Sequence, residues 1–400
     1  MKVLQINSFF SVGGPPRIVN GIYEILRKED IECKIAAARE TPYVEDDSIR
    51  IGSKLRVYKN AIQSRLFDNE GFNAKFETRK LIKEIREYDP DLIHLHNLHG
   101  YYINVEILFD YLKKCGKPVV WTFHDCWPMT GHCPYFTMMK CNKWMSGCYQ
   151  CPMKKDYPSS VLLDHSKQNW IKKKAVFTGV PDMTIVCVSK WLQNVVCQSY
   201  LSEYDTKVIY NGIDLQPFKP VNSDFRAKHG LEEKKILVGV AMHWIPRKGL
   251  EDYKKLAAVI DNDTVIVLVG LTPEQSETMP KNIIGIPATN DDKELAVIYS
   301  AADICLNLSY EETFGLTSVE ALACGTPIIT YDQTAVPEIS DMFGMPVVKA
   351  GDIDRLAEVI NNTPRKNIPI QCEVSYFEQD KKYTEYVELY RELVNRRNKT

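Results

Sequence analysis

Ser309-Tyr310-Glu311-Glu312-Thr313-Phe314-Gly315-Leu316-Thr317-Ser318-Val319-Glu320-Ala321-Leu322-Ala323-Cys324-Gly325-Thr326-Pro327 is the stretch on which the reading of the fold turns. An apolar run at 304–306 leads into it and another at 327–330 follows it. Short apolar runs of this kind are the mark of parallel strands covered on both faces. Between them, residues 316–323 have helical character and are entered through Gly315. The unit is strand, loop, helix, strand, the repeating element of a doubly wound α/β sheet.

Working outward, the same alternation continues. Strands are expected at 208–210, 236–242, 265–269, 283–284 and 347–348, with helices at 250–260, 294–301 and 353–360. An earlier series has strands at 2–7, 32–37, 92–95, 119–123 and 183–188, with helices at 18–27, 75–87, 105–114 and 191–199. A chain of 400 residues exceeds what one core usually serves. The expectation is therefore α/β, with two doubly wound, Rossmann-like domains. They are placed at 1–203, including a Cys-rich loop at 126–152, and at 204–376. Residues 377–400 form a final segment in which Tyr383, Tyr386, Val387, Tyr390 and Val394 make a helical stripe.

The residues that carry chemistry sit where strands end. Glu312 and Glu320 are separated by seven residues in the opening stretch. A carboxylate accepts hydrogen bonds only, so Glu320 can hold two vicinal hydroxyls of a ribose. The helix start at Gly315 offers amides to phosphate or sugar oxygens. After the strand at 236–242, Arg247-Lys248-Gly249 opens another helix, and two cations there suit a diphosphate. Gly13-Gly14 follows the first strand and would let backbone approach a ligand, although a plain tight turn reads equally well. Trp121-Thr122-Phe123-His124-Asp125 puts His124 at a strand end, the edge on which open α/β sheets bind ligands. His94 and His96 share one strand face, and with His99 they suggest a metal site at first glance.

With Phe314-Gly315-Leu316, Glu320-Ala321 and Gly325-Thr326-Pro327 around the Glu pair, the stretch resembles the Glu-x7-Glu signature of family 4 glycosyltransferases. These are retaining enzymes of the GT-B fold, of the kind found in bacterial surface polysaccharide biosynthesis. Asn211-Gly212-Ile213-Asp214 and Val336-Pro337-Glu338-Ile339 resemble further elements of that family. The resemblance implies two domains facing across a cleft and a terminal helix crossing back to the first. It implies a nucleotide sugar donor, uridine-based by default, and a glycan or lipid-linked acceptor. It puts His124 and Glu312 at the reacting centre. It assigns Gly13, Gly14, Lys248, Phe314, Gly315, Leu316 and Glu320 to the donor, with Arg247 replacing an arginine that the family carries where this chain has Met242. It implies no cofactor for catalysis, and cleft-lining hydrogen bonding in place of a metal at His94, His96 and His99. Thr334-Ala335 stand where the family has glycines, a departure beside the donor. A sugar-nucleotide epimerase on the same fold, or a non-catalytic nucleotide-sugar-binding scaffold, remain alternatives. A dinucleotide oxidoreductase would need a Gly-x-Gly-x-x-Gly turn that the first loop lacks.

Composition narrows the classes. The net charge of -2 speaks against a general nucleic-acid binder. No apolar run reaches the length of a membrane span, and Met1-Lys2-Val3-Leu4-Gln5-Ile6-Asn7 turns polar too soon for a signal peptide. The expected location is cytoplasmic, with peripheral contact at the inner face of the plasma membrane through the basic stretch at 54–65. Lys172-Lys173-Lys174 reads as a solvated face. Among 12 cysteines, Cys133, Cys141, Cys148 and Cys151 cluster, and Cys148-Tyr149-Gln150-Cys151 has knuckle spacing. A structural zinc with four thiolates is one reading, and disulfides or free thiols are the others.

Overall fold

In the computed structural model, the residues described are 1–10, 14–39, 47–289, 291–366, 369–370 and 372–397. Among them the strands are β1 (Lys2–Phe9), β2 (Glu32–Arg39), β3 (Ser48–Arg50), β4 (Leu92–Leu95), β5 (Val119–Phe123), β6 (Met183–Cys187) and β7 (Asp205–Val208), followed by β8 (Lys235–Val240), β9 (Thr264–Val269), β10 (Ile283–Ile286), β11 (Ile304–Asn307), β12 (Ile328–Tyr331) and β13 (Val347–Val348). They form two parallel sheets, in the orders β3-β2-β1-β4-β5-β6-β7 and β10-β9-β8-β11-β12-β13. Several inner strands are buried along their whole length, as in Met-Thr-Ile-Val-Cys of β6 and Thr-Val-Ile-Val-Leu-Val of β9. Helices cover such strands, because the crossover between parallel strands is usually a helix.

The chain divides into two compact units, Met1–Tyr210 with Asp380–Thr400, and Asn211–Gln379. The strand expected at 208–210 as the start of the second series is instead β7, at the edge of the first sheet, with Cys187 opposite Val208. Ile209 is buried in the first core, which anchors that edge. Two helices, Lys54–Phe67 and Ser166–Phe177, lie where no helix was expected. In the second of these, Asn169 and Lys173 share the buried face with Trp170 and Phe177. Polar residues turned inward erase the apolar period that would have announced the helix.

The first core holds Val3, Ile18, Ile22, Ile35 and Leu92 together with Tyr383, Tyr386, Val387, Tyr390 and Leu393 of the terminal helix Gln379–Arg397. Each fully buried large side chain contributes roughly 1.5–3 kcal/mol. Gly21, in helix Gly14–Lys28, makes room for this packing: a Cβ there would stand 2.0 Å from Tyr383 Cε2. The second core gathers Leu237, Tyr253, Leu256, Ile266, Leu306 and Leu356. In each sheet the strand order reverses once, between β1 and β4 and between β8 and β11. Those switch points are where open α/β sheets receive ligands.

Candidate active site

In the second unit, both loops leaving the switch point carry charge. The loop after β8 ends in a turn, Pro246–Lys248, and then Gly249 starts helix Leu250–Ala257. Gly249 has φ +76°, and a Cβ on it would meet the Leu308 carbonyl oxygen at 2.2 Å. Only glycine lets the two loops approach so closely. Tyr310 N donates to Arg247 O at 2.8 Å, and the Arg247 guanidinium donates to Glu311 O at 3.0 Å. The result is an ion pair between Lys248 Nζ and Glu312 Oε1. Burial pushes the Glu312 carboxyl upward, but Lys248 and then Arg247 outweigh it and hold it below the usual range. Ser309 Oγ also donates to Glu312 Oε1, at 3.4 Å.

Helix Leu316–Ala323 begins at Gly315, whose φ of +94° suits glycine. Ser318 N turns back to Gly315 O at 3.1 Å, while the amides of Leu316 and Thr317 come before the first carbonyl an α-helix can offer them. Glu320 is buried on this helix and accepts from Tyr299 Oη at 3.0 Å. Phe314 is buried, its ring 5.8 Å from that of Phe377, so its side chain belongs to the core and the loop offers backbone at that position. Leu316 is half-buried at the helix start.

In the first unit the corresponding strand ends carry imidazoles. His96, just beyond β4, and His124, just beyond β5, are hydrogen-bonded through Nδ1 and Nε2 respectively at 3.1 Å, with their rings stacked. His96 Nε2 reaches Gln5 Oε1 on β1 at 3.1 Å. His94 bonds Thr122 Oγ1 at 2.8 Å and Tyr390 Oη at 2.5 Å, and Thr122 donates to Tyr386 Oη at 3.3 Å. Asp125 accepts from His99 at 2.7 Å. Burial lowers the His124 pKa to about 4, and it holds His94 and His96 well below their ordinary value. These imidazoles are neutral at physiological pH. The same strand ends line a pocket that includes His96, His99, Trp121, His124 and Asp125.

Gly14 opens helix Gly14–Lys28, with nothing within 4 Å of the place a Cβ would take, while Gly13 lies outside the described residues. Sequence reasoning missed Gln5, Tyr299, Tyr386 and Tyr390 as partners of site residues. Gln5 did leave a signal, as the polar interruption of an apolar strand.

The four clustered cysteines are free thiols. Cys133 and Cys151 are hydrogen-bonded to each other, and Gly131 N donates to Cys148 Sγ at 3.2 Å. Among the described residues no group of three or more His, Cys, Asp or Glu is arranged to hold a metal ion. Cys148 and Cys141 also act electrostatically on Cys133, so the four thiols lie near one another.

Comparison with known proteins bears on both units. A family model described as "Glycosyltransferase Family 4" matches residues 12–217, and one described as "Glycosyl transferases group 1" matches residues 221–368. The chain is 23% identical over 376 residues to the putative colanic acid biosynthesis glycosyl transferase WcaC of Escherichia coli, covering 90% of each chain. Its fold is like that of Anabaena HepE in complex with UDP and glucose, with a TM-score of 0.64 at 15% identity over 98% of this chain and 100% of that one. It is also like that of WaaG, a glycosyltransferase involved in lipopolysaccharide biosynthesis, with a TM-score of 0.58 at 14% identity over 99% and 98%.

Proposed function

The chain belongs to Glycosyltransferase Family 4, and from that premise we propose that it moves a sugar from a nucleoside diphosphate donor, uridine diphosphate by default, to a glycan or lipid-linked acceptor of a bacterial surface polysaccharide, with retention at the anomeric carbon. The relation to WcaC supports the polysaccharide setting. The likeness to HepE, solved with UDP and with UDP-glucose, supports the donor class.

The observation that carries the reading is the placement of Lys248, Glu312 and the start of helix Leu316–Ala323 together at the switch point of the second sheet. Lys248, Arg247 and the helix amides would meet the charge that grows on the departing diphosphate, and such stabilisation is often the largest single term in catalysis. In this reading Arg247 and Lys248 would supply that charge from the chain itself, without a divalent ion. Glu320 would hold the ribose hydroxyls and Glu312 the donor sugar. The anomeric carbon–phosphate oxygen bond breaks through an oxocarbenium-like state, and the acceptor oxygen bonds to the same face. The acceptor hydroxyl proton passes to the departing phosphate oxygen. His124 would orient a hydroxyl group.

One surface of the first unit supports a lipid-side acceptor. Helix Lys54–Phe67 turns Asn60 and Ser64 inward and leaves Leu55, Tyr58, Ile62 and Phe67 exposed. Lys54, Arg56, Lys59 and Arg65 lie among them, and the helix has no acidic residue. Exposed apolar residues set among cations suit an anionic membrane surface. Among the described residues no helix is long and apolar enough to cross a membrane.

The test is thermal stabilisation by UDP, GDP and ADP without added metal. A ligand at about 100 times its Kd should add roughly 2.7 kcal/mol. A shift with one nucleotide, lost in Glu320→Ala, supports the donor site and names the base. No shift with any of them removes the transferase reading. Flotation with phosphatidylglycerol vesicles tests the membrane arm separately, and Leu55→Ser/Ile62→Ser/Phe67→Ser should abolish it.

A further inference from the structure

The hydrogen bonds behind His124 have a fixed direction, and it begins at a backbone carbonyl. Gln5 Nε2 lies 3.2 Å from Val19 O in helix Gly14–Lys28. A carbonyl can only accept, so the amide nitrogen of Gln5 faces Val19, and its Oε1 must face His96. Oε1 accepts too, so the nitrogen 3.1 Å from it, His96 Nε2, carries a hydrogen. His96 is buried and neutral, so its Nδ1 then carries a lone pair. The atom 3.1 Å from that lone pair is His124 Nε2, which must therefore donate. Each step follows from the one before, and none is free to reverse while Val19 stays helical.

We propose that Gln5 and His96 are positioning residues that lock His124 in its Nε2–H tautomer. The proposal rests on the transferase reading and sharpens the part His124 plays in it. With its proton committed to His96, His124 keeps only an acceptor, Nδ1, and cannot donate to a sugar or acceptor hydroxyl. The donor unit supplies the cations, so the imidazole's share is to orient a hydroxyl by drawing on its hydrogen. Gln5 is a buried polar residue between the apolar Leu4 and Ile6 of β1, where a residue of similar size without a polar head would pack without needing partners. The network gives a reason for its presence.

The test is nitrogen-15 NMR of the intact protein labelled at histidine, with His124 assigned by loss of its signals in His124→Asn. The expected result is a single Nε2–H tautomer for both His96 and His124 at pH 7 to 8. An Nδ1–H tautomer at His124 overturns the proposal. Gln5→Met keeps the volume and removes the acceptor. It should give mixed tautomers at His96 and His124 and lower kcat about tenfold with the donor KM unchanged. If that variant folds and the tautomers stay single, Gln5 is not their source and the proposal fails. Should Gln5→Met not fold, the wild-type spectrum still decides. If the wild-type protein shows the Nε2–H tautomer but transfers no sugar, the relay stands and the transferase reading falls, so the two failures are distinct.

Discussion

The two sheets solve the same geometric problem with opposite chemistry. At the β8/β11 switch point the second unit gathers full charges: Lys248 paired with Glu312, Arg247 bound to the Glu311 carbonyl, and Glu320 bound to a tyrosine hydroxyl. At the β1/β4 switch point the first unit gathers His94, His96 and His124, which burial keeps neutral, and bonds them to amide and hydroxyl groups. A diphosphate needs cations and aligned dipoles, whereas a sugar or acceptor hydroxyl needs directional hydrogen bonds with little charge. The contrast teaches that a shared architecture leaves the sign and mobility of the site to the loop residues.

Several substitutions would break or sharpen that contrast. Lys248→Ala should cost the most, about 10²–10³ in kcat, with weaker nucleotide binding by calorimetry. His124→Ala should lower kcat by about 10² and leave nucleotide affinity unchanged. Equal loss of affinity in both variants would erase the division of labour. Gly21→Ala pushes a methyl into the Tyr383 ring and should destabilise the first unit by about 1–3 kcal/mol in urea titration, with the second unit's transition unmoved.

The smallest effect is in pH. Burial lowers His124 from 6.5 to about 4. Between those values the unfolded chain takes up protons that the folded chain refuses. Stability from this group is therefore complete above the unfolded value and is lost as pH falls. His94 and His96 act in the same sense. Glu312, held below 4.5, supplies stability that is present above that value and lost only as pH falls past it. Hydrogen exchange at about pH 5.5 should loosen peptides around β4 and β5 before those around β11. Simultaneous loosening would contradict the assignment of neutral histidines to the first unit alone.

Much of this was legible in the sequence because it was written in short range. Alternating apolar runs announced the parallel strands, and the stretch from Ser309 to Pro327 carried its helix, its glycine and both glutamates together. What stayed hidden depends on partners distant in the chain. Tyr299 meets Glu320, Gln5 meets His96 across 91 positions, and Tyr390 meets His94 across 296. No local period encodes such pairings. Helix Lys54–Phe67 was readable as basic but not as a helix that buries asparagine and serine while exposing leucine and phenylalanine. The strand expected at 208–210 was given to the second sheet, whereas β7, at 205–208, edges the first, because its exposed and half-exposed residues read as a polar boundary.

The ring of Tyr383 resting on Gly21 also sets an order of events during synthesis. The first unit is made of residues from both ends of the chain, and the second is an insertion between them. On the ribosome, the strands β1 to β7 emerge early, yet the aromatic face that closes over their core comes last. The nascent first unit must therefore wait, with Ile18, Ile22 and Leu92 uncovered, while the inserted unit completes itself. Ribosome-stalled chains ending near residue 375 should hold a protease-resistant second unit beside a protease-sensitive first one, and chaperones that bind apolar surface should find their client there.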